Sequence, residues 1–123
     1  MDIIVIGMGE VGKYITAVLV GEGHNVTIVD ENQSALGAVE ETTDVLAWRG
    51  NGATLHGLTE TRAGQADLLI ATSNQDETNI LASIMAKKLG ARKVIARVSN
   101  RGHMPDEQGV YYNFFRRRSA DKP

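Results

Sequence analysis

Six residues near the start of the chain have the types and the spacing to hold a phosphate group. They form the pattern Gly7-Met8-Gly9-Glu10-Val11-Gly12, which follows the apolar run Ile3-Ile4-Val5-Ile6 and precedes a helical pattern. A glycine turn between a strand and a helix brings backbone N–H groups close to a phosphate. In such a turn Gly7 permits the tight bend, Gly9 lets the backbone approach a pyrophosphate, and Gly12 lets the helix pack on the strand.

A carboxylate follows at the distance expected for a ribose-binding residue. Asp30 ends the next apolar run, Val26-Thr27-Ile28-Val29, eighteen residues after Gly12. Its oxygens can accept hydrogen bonds from both ribose hydroxyls and would repel a 2′-phosphate. Since Glu31 is adjacent and no arginine is near in the sequence, the pattern favours NAD or an adenosine nucleotide over NADP.

Three further groups of polar residues come at the ends of predicted strands. The turn Gly50-Asn51-Gly52 could lie along an adenine edge, and Thr72, Ser73 and Asn74 could bond the rest of a dinucleotide. Asn51 and Asn74 could equally be loop and capping residues. Arg97 could hold a phosphate, or form an ion pair with Asp76 or Glu77.

Catalytic and metal-binding residues find little support in the sequence. The chain has three histidines, His24, His56 and His103, at no spacing typical of a metal site, and it has no cysteine. We therefore predict no catalytic group and assign no metal site, with a divalent site at acids such as Asp76 and Glu77 left open. Glu10 is unusual inside a phosphate loop, because a carboxylate near bound phosphates lowers affinity unless it faces solvent or a cation.

The elements that must position these residues alternate between strand and helix. Strands are predicted at 3–6, 26–29, 45–48, 67–72 and 94–98, and the helices between them end near Gly21, Glu41, Ala63 and Gly90. Short connections and continuous apolar strands predict an α/β fold, a doubly wound parallel sheet with helices on both faces. The carboxyl ends of its strands should meet at one crevice.

The helical patterns also predict which faces are buried. In the first helix, Val11, Ile15, Val18 and Leu19 form the expected core face, with Thr16 on the other side. In the last helix the expected face carries Ile80, Leu81, Ile84, Met85 and Leu89. Asn74 and Glu77 resemble a capping box at the start of that helix.

Composition limits the classes of function. At 123 residues, with a net charge of −2, we expect one domain without a basic surface for nucleic acid. No apolar run approaches the roughly 20 residues that cross a bilayer, and no signal peptide is visible. The sequence therefore predicts a cytoplasmic protein that does not insert into the membrane.

Several segments together resemble the TrkA-N domain, also called KTN or RCK N-terminal domain, of Trk and Ktr potassium-uptake regulatory proteins. They are the glycine pattern, Ile28-Val29-Asp30, Gly50-Asn51-Gly52-Ala53, Ala96-Arg97-Val98 and, most specifically, the run from Ala66 through Thr72-Ser73-Asn74-Gln75-Asp76-Glu77-Thr78-Asn79. The resemblance covers residues 1–113. Residues 114–123, including Arg116-Arg117-Arg118, are expected to be a basic, disordered tail.

The resemblance implies a Rossmann-like nucleotide-binding regulator rather than an enzyme. Such proteins gate an integral membrane potassium transporter or channel from its cytoplasmic face, form homodimers or higher homo-oligomers, and bind NAD(H) or ATP/ADP. Carried over, the cofactor-binding residues are Gly7, Met8, Gly9, Glu10, Val11, Gly12, Asp30, Glu31, Asn51, Gly52, Thr72, Ser73, Asn74 and Arg97. Some ATP-selecting relatives carry a basic residue in place of Glu10, which favours NAD(H) here.

Two other functions stay open at this stage. The chain could be an NAD-dependent oxidoreductase fragment that lacks its substrate domain. It could also be a structural assembly module with a vestigial cleft.

Overall fold

The computed structural model describes residues 1–99 and 110–112. Six strands form one sheet in the order β3-β2-β1-β4-β5-β6. The strands are β1 (Asp2–Ile6), β2 (Asn25–Asp30), β3 (Leu46–Arg49), β4 (Leu68–Ala71), β5 (Val94–Val98) and β6 (Val110–Tyr112), and the helices are α1 (Glu10–Gly21), α2 (Gln33–Glu40), α3 (Leu55–Glu60) and α4 (Asp76–Leu89). A 3-10 turn at Ala63–Gln65 follows α3.

The parallel part of the sheet agrees with the prediction. Strands β1 to β5 pair in parallel, and the strand order reverses between β1 and β4. The β-branched runs of β1 and β2 are buried on both faces, as expected for strands covered by helices on each side. The sixth strand was not predicted: β6 is antiparallel to β5, with Arg97 opposite Tyr111.

Two apolar layers hold the helices against the sheet. One layer joins Ile3, Val5 and Ile28 to Leu36 and Val39 of α2 and to apolar residues of α1. The other joins Ile4, Ile6 and Leu69 to Leu58 of α3 and to alanines of α4. The fold is therefore a doubly wound sheet with α1 and α2 on one face and α3 and α4 on the other.

The predicted core face of α1 is wrong in part. Thr16 is fully buried, and its hydroxyl donates to the sulfur of Met8 at 3.9 Å. Val11 and Val18 are exposed together with Tyr14, which is 72% exposed. Gly12 packs against the carbonyl oxygen of Gly7, and this close approach favours a small residue such as Thr16 on the adjoining turn. Ile15, Leu19 and Val20 still pack against the core, as predicted for Ile15 and Leu19.

The predicted face of α4 is wrong in part, since Met85 does pack against the core, and its predicted cap is wrong. Its buried residues are Asn79, Ala82, Ser83 and Ala86, whereas Leu81 is 47% exposed. The helix begins after Gln75, which makes no capping hydrogen bond with any described residue, so Asn74 is not the cap. The residue that organises this end of α4 is Asn79, whose side chain bonds the preceding loop.

Two sequence predictions concern segments outside the described residues. From the sequence, Pro105 followed by Asp106 and Glu107 could begin a helix, and this segment, like the expected tail at 114–123, is outside the described residues. The division at residue 113 stays a prediction.

Candidate functional site

A cavity of about 630 Å³ opens at the carboxyl edge of the sheet, at the point where the strand order reverses. Open α/β sheets bind their ligands in this crevice. The structure brings thirteen of the fourteen predicted site residues to its lining: Gly7, Met8, Gly9, Glu10, Val11, Asp30, Glu31, Asn51, Gly52, Thr72, Ser73, Asn74 and Arg97. Gly12 lies beneath the cavity instead.

The glycine loop is held by backbone contacts that leave no room for side chains. Gly7 has a φ of +99°, and a Cβ there would stand 2.7 Å from the backbone nitrogen of Ser73. A Cβ on Gly12 would overlap the carbonyl oxygen of Gly7. Gly9 is different, because a Cβ there would meet no described atom within 4 Å. Gly7 and Gly12 are thus required by packing, whereas the space above Gly9 is open.

The N-terminus of α1 points its unpaired donors at this space. Gly9 is the N-cap residue, and no side chain of the described residues caps the helix. The first N–H with a partner inside the helix is that of Lys13, which donates to the carbonyl oxygen of Gly9 at 2.9 Å. The earlier N–H groups of a helix have no intrahelical acceptor and carry a partial positive charge, which is suited to an anion.

Asp30 braces the loop as well as lining the cavity. Its Oδ2 accepts from the backbone N–H of Met8 at 2.7 Å, and its Oδ1 accepts from that of Asn32 at 2.8 Å. A carboxylate has about four acceptor positions, so each oxygen keeps a lone pair for a hydroxyl group. Met8 contributes only backbone, since its N–H is used by Asp30 and its side chain is buried.

An arginine lies nearer to Asp30 than the sequence suggested. The pairing of β2 with β3 sets Arg49 beside Asp30, and the Nε of Arg49 donates to the carbonyl oxygen of Glu31 at 3.2 Å. The sequence disfavours NADP partly because no arginine is near Asp30 along the chain, and that premise does not hold in three dimensions. Arg49 does not itself line the cavity.

The asparagines of the two loops have different roles. The Oδ1 of Asn51 accepts from the backbone N–H of Ala53 at 2.8 Å, which is a loop-forming contact. Asn74 is exposed at the rim of the cavity. Gly52 is buried against Ile6, with only 2.9 Å between its Cβ position and the Ile6 side chain. The Gly50-Asn51-Gly52 turn therefore offers backbone to the cavity.

Sequence reasoning missed several lining residues on the helices beside the loops. Asn32 and Ala35 belong to the start of α2, and Gln75 and Thr78 to the start of α4. The signal for them was their position at the cap or in the first turn of the helix that follows a strand, which sets them on the same edge as the loops. Asn79 was not predicted because it does not line the cavity; it contacts Ser73 and Arg97, which do.

The charges of the cavity wall are unequal. Glu10, Asp30 and Glu31 contribute three carboxylates, and Arg97 is the cation among the described lining residues.

At the opposite edge of the sheet, the backbone N–H of Asp2 and the nearby Arg92 hold the pKa of Asp67 below its usual value. In the described part of the chain, no cluster of three or more potential ligands could hold a metal ion.

Comparison with known proteins gives a consistent family. The sequence model of the TrkA-N domain matches residues 3–121. A relative from Methanothermobacter thermautotrophicus, named Trk system potassium uptake protein TrkA homolog, is 32% identical over 103 residues, which are 84% of this chain and 48% of that protein. An Archaeoglobus fulgidus protein of the same name is 39% identical over 100 residues, 81% of this chain and 22% of its own length. The chain thus spans about half or less of these relatives.

Solved structures similar to this chain support its fold and nothing further, because their sequence identities to it are low. The GsuK channel has a TM-score of 0.65 at 19% identity, over 76% of this chain and 17% of that chain. The Shewanella denitrificans Kef CTD in AMP-bound form has a TM-score of 0.61 at 21% identity, over 72% and 52%. A short-chain dehydrogenase/reductase family protein from Aeromonas hydrophila has a TM-score of 0.60 at 20% identity, over 71% and 51%.

Proposed function

The chain belongs to the TrkA-N domain family, and from that premise we propose that it is a nucleotide-binding regulatory domain that controls a membrane potassium transporter or channel. The observation that carries the proposal is the cavity at the strand-order reversal, which the N-terminus of α1 and Asp30 both line. A helix N-terminus suits a phosphate and a carboxylate suits ribose hydroxyls, at the relative positions that a nucleotide requires.

The proposed ligand is NAD(H), with ATP or ADP as the second choice. Among the described residues, three carboxylates and one guanidinium line the cavity, so a ligand with few negative charges is favoured over a triphosphate. The AMP bound to the Shewanella denitrificans Kef CTD supports an adenine nucleotide in a fold of this kind. NADP is less favoured because Asp30 would face the 2′-phosphate, although Arg49 lies close enough to offset part of that repulsion.

The proposed partner is an integral membrane potassium transporter or channel subunit at the cytoplasmic face of the membrane. The names of the curated relatives and of the GsuK channel support this partner. Residues 1–99 and 110–112 contain no helix with the length and apolar character needed to cross a bilayer. We propose that the domain acts as a homodimer or higher homo-oligomer, without nucleic acid and without inserting into the membrane itself.

Regulation requires that the nucleotide bind two arrangements of the paired domains with different affinity. Equal affinity would shift no equilibrium, however tight the binding. We therefore propose that the domain is a sensor rather than an enzyme and that its glycine loop binds the ligand.

An oxidoreductase fragment is the second candidate, favoured by the likeness to the Aeromonas hydrophila fold. It requires a substrate site, and the cavity residues assigned above are all used by the nucleotide. Consumption of NADH with a panel of small carbonyl compounds would support it.

Calorimetric titration with NAD, NADH, NADP, ATP, ADP and AMP tests the proposed function. We expect NADH to bind, and we expect Asp30→Ala to weaken it by about tenfold to a hundredfold, because a charged hydrogen-bond acceptor is lost. Asp44→Ala is the control: Asp44 is an exposed aspartate before β3, at the amino end of the sheet and outside the cavity lining. Absence of heat from every nucleotide at millimolar concentration would overturn the proposal.

A further inference from the structure

Strands β4 and β5 separate at their carboxyl ends, directly beside the cavity. Their pairing runs from Leu69–Val94 to Ala71–Ala96 and stops there. The N–H of Leu69 donates to the carbonyl oxygen of Lys93, and in a parallel ladder this contact repeats every second residue. If the two strands continued in register, the N–H of Ser73 would donate to the carbonyl oxygen of Arg97.

The side chain of Asn79 occupies the place of that missing contact. Its Oδ1 accepts from the backbone N–H of Ser73 at 2.9 Å and from the Ser73 hydroxyl at 2.8 Å. Its Nδ2 donates to the carbonyl oxygens of Ser73 and Arg97, each at 2.9 Å. The amide thus stands between two backbone groups that the extended ladder would join directly.

This amide is fully buried and fully paired. Asn79 is 0% exposed, and both hydrogens of its Nδ2 and both acceptor positions of its Oδ1 have partners. The network also fixes the orientation of the amide, because exchanging oxygen and nitrogen would set two carbonyl oxygens against an acceptor. Breaking the hydrogen bonds of this buried amide would cost free energy of folding. The amide therefore holds the segments at Ser73 and Arg97 at a fixed separation.

A second contact from the same helix ties down the end of β5. The N–H of Ser99 donates to the Oδ1 of Asp76 at 2.8 Å. The first turn of α4 therefore bonds Arg97 of β5 and Ser99 just beyond it. On its β4 side this strand end is therefore held by α4, while β6 pairs with it on the other side.

We propose that Asn79 is a positioning residue of the nucleotide cleft. Its amide holds the end of β4 apart from the end of β5 and fixes Ser73 and Arg97 on either side of the opening. Ser73 and Arg97 line the cavity, whereas Asn79 does not, so it acts on a ligand only through them. The involvement of a nucleotide rests on the proposed function; the separation of the strand ends does not.

The substitution Asn79→Asp tests this role with almost no change in volume. The carboxylate keeps an acceptor for Ser73 but sets its other oxygen against the carbonyl oxygens of Ser73 and Arg97. We expect the affinity of the full chain for NADH, measured by calorimetry well below the melting temperature, to fall by about tenfold or more. NADH binding equal to that of the wild type would overturn the proposal.

Two controls separate positioning from general stability. Ser83→Ala changes another fully buried polar residue one turn further along α4, whose hydroxyl has no partner among the described residues; we expect unchanged NADH affinity. Val26→Ala creates a cavity in the core at the amino end of β2, so it should lower the melting temperature while keeping the affinity within about twofold. If Val26→Ala weakened binding as much as Asn79→Asp, the effect would be one of stability and the proposal would fail.

A measurement without ligand keeps this inference distinct from the proposed function. In the ligand-free protein, amide hydrogen exchange at Ser99 should be about tenfold or more faster in Asn79→Asp than in the wild type, because the end of β5 is displaced. Unchanged exchange at Ser99 would overturn the positioning role. If the wild type bound no nucleotide but Ser99 exchange rose as expected, the proposed function would fail while the role of Asn79 in separating the strands would stand.

Discussion

Glu10 is the residue of the cavity whose charge bears most directly on which nucleotide is held. It is the first residue of α1, it is exposed, and it lines the cavity beside the helix N-terminus. A carboxylate there opposes the favourable field of the helix for phosphates. A ligand with a single pyrophosphate is therefore penalised less than a triphosphate.

Replacing Glu10 by lysine should change this preference. We expect Glu10→Lys to raise the affinity for ATP by about tenfold, since a repulsive charge becomes attractive, and to change the affinity for NADH less. Parallel titrations with ATP and NADH measure the ratio of the two affinities. Glu22→Lys makes the same charge change just beyond the other end of α1 and should leave the ratio unaltered; an equal response from both variants would show that net charge alone is responsible.

The sequence located most cavity residues but not all of their contacts. Thirteen of the fourteen expected residues line the cavity because each lies at or shortly after the end of a strand, and parallel strands end at the same edge. The proximity of Arg49 to Asp30 could not be predicted, since it depends on the register between β2 and β3. The hydrogen bond that the N–H of Met8 donates to Asp30 likewise depends on the path of the folded loop.

At the scale of elements, the strands and helices were predictable while the buried faces of two helices were not. Apolar periodicity indicates an amphipathic helix, but it does not predict how closely the helix packs against the sheet. Where that distance is short, small residues such as Thr16 and Ala82 face the sheet, and larger ones such as Tyr14 and Leu81 are exposed. The three residues of β6 are too few for any pattern to indicate a strand.

The two glycines at the start of α1 offer a test of this close packing. Gly12→Ala should lower the free energy of unfolding by about 2 kcal/mol or more, because the new Cβ overlaps the carbonyl oxygen of Gly7. Gly9→Ala should lower it by about 1 kcal/mol or less, because its Cβ enters open space. Urea unfolding measures both values, and equal losses would contradict the close approach of α1 to the loop.

At the scale of the whole molecule, the fold separates the proposed ligand edge from the opposite edge of the sheet. The carboxyl edge carries the glycine loop, Asp30 and Arg97 around open space. At the amino edge, Asp67 accepts from the backbone N–H of Asp2 at 2.8 Å and lies 3.5 Å from Arg92. A nucleotide should therefore perturb one edge of the sheet and leave the other unchanged.

This separation makes nuclear magnetic resonance titration with NADH the most direct test of the proposed nucleotide site. We predict saturable changes in the backbone amide signals of Gly9, Val11, Ser73 and Arg97, with the signals of Asp2, Asn25 and Asp67 unchanged. The absence of saturable changes at millimolar NADH, or changes confined to the amino edge, would contradict the assignment of this cleft as the nucleotide sensor.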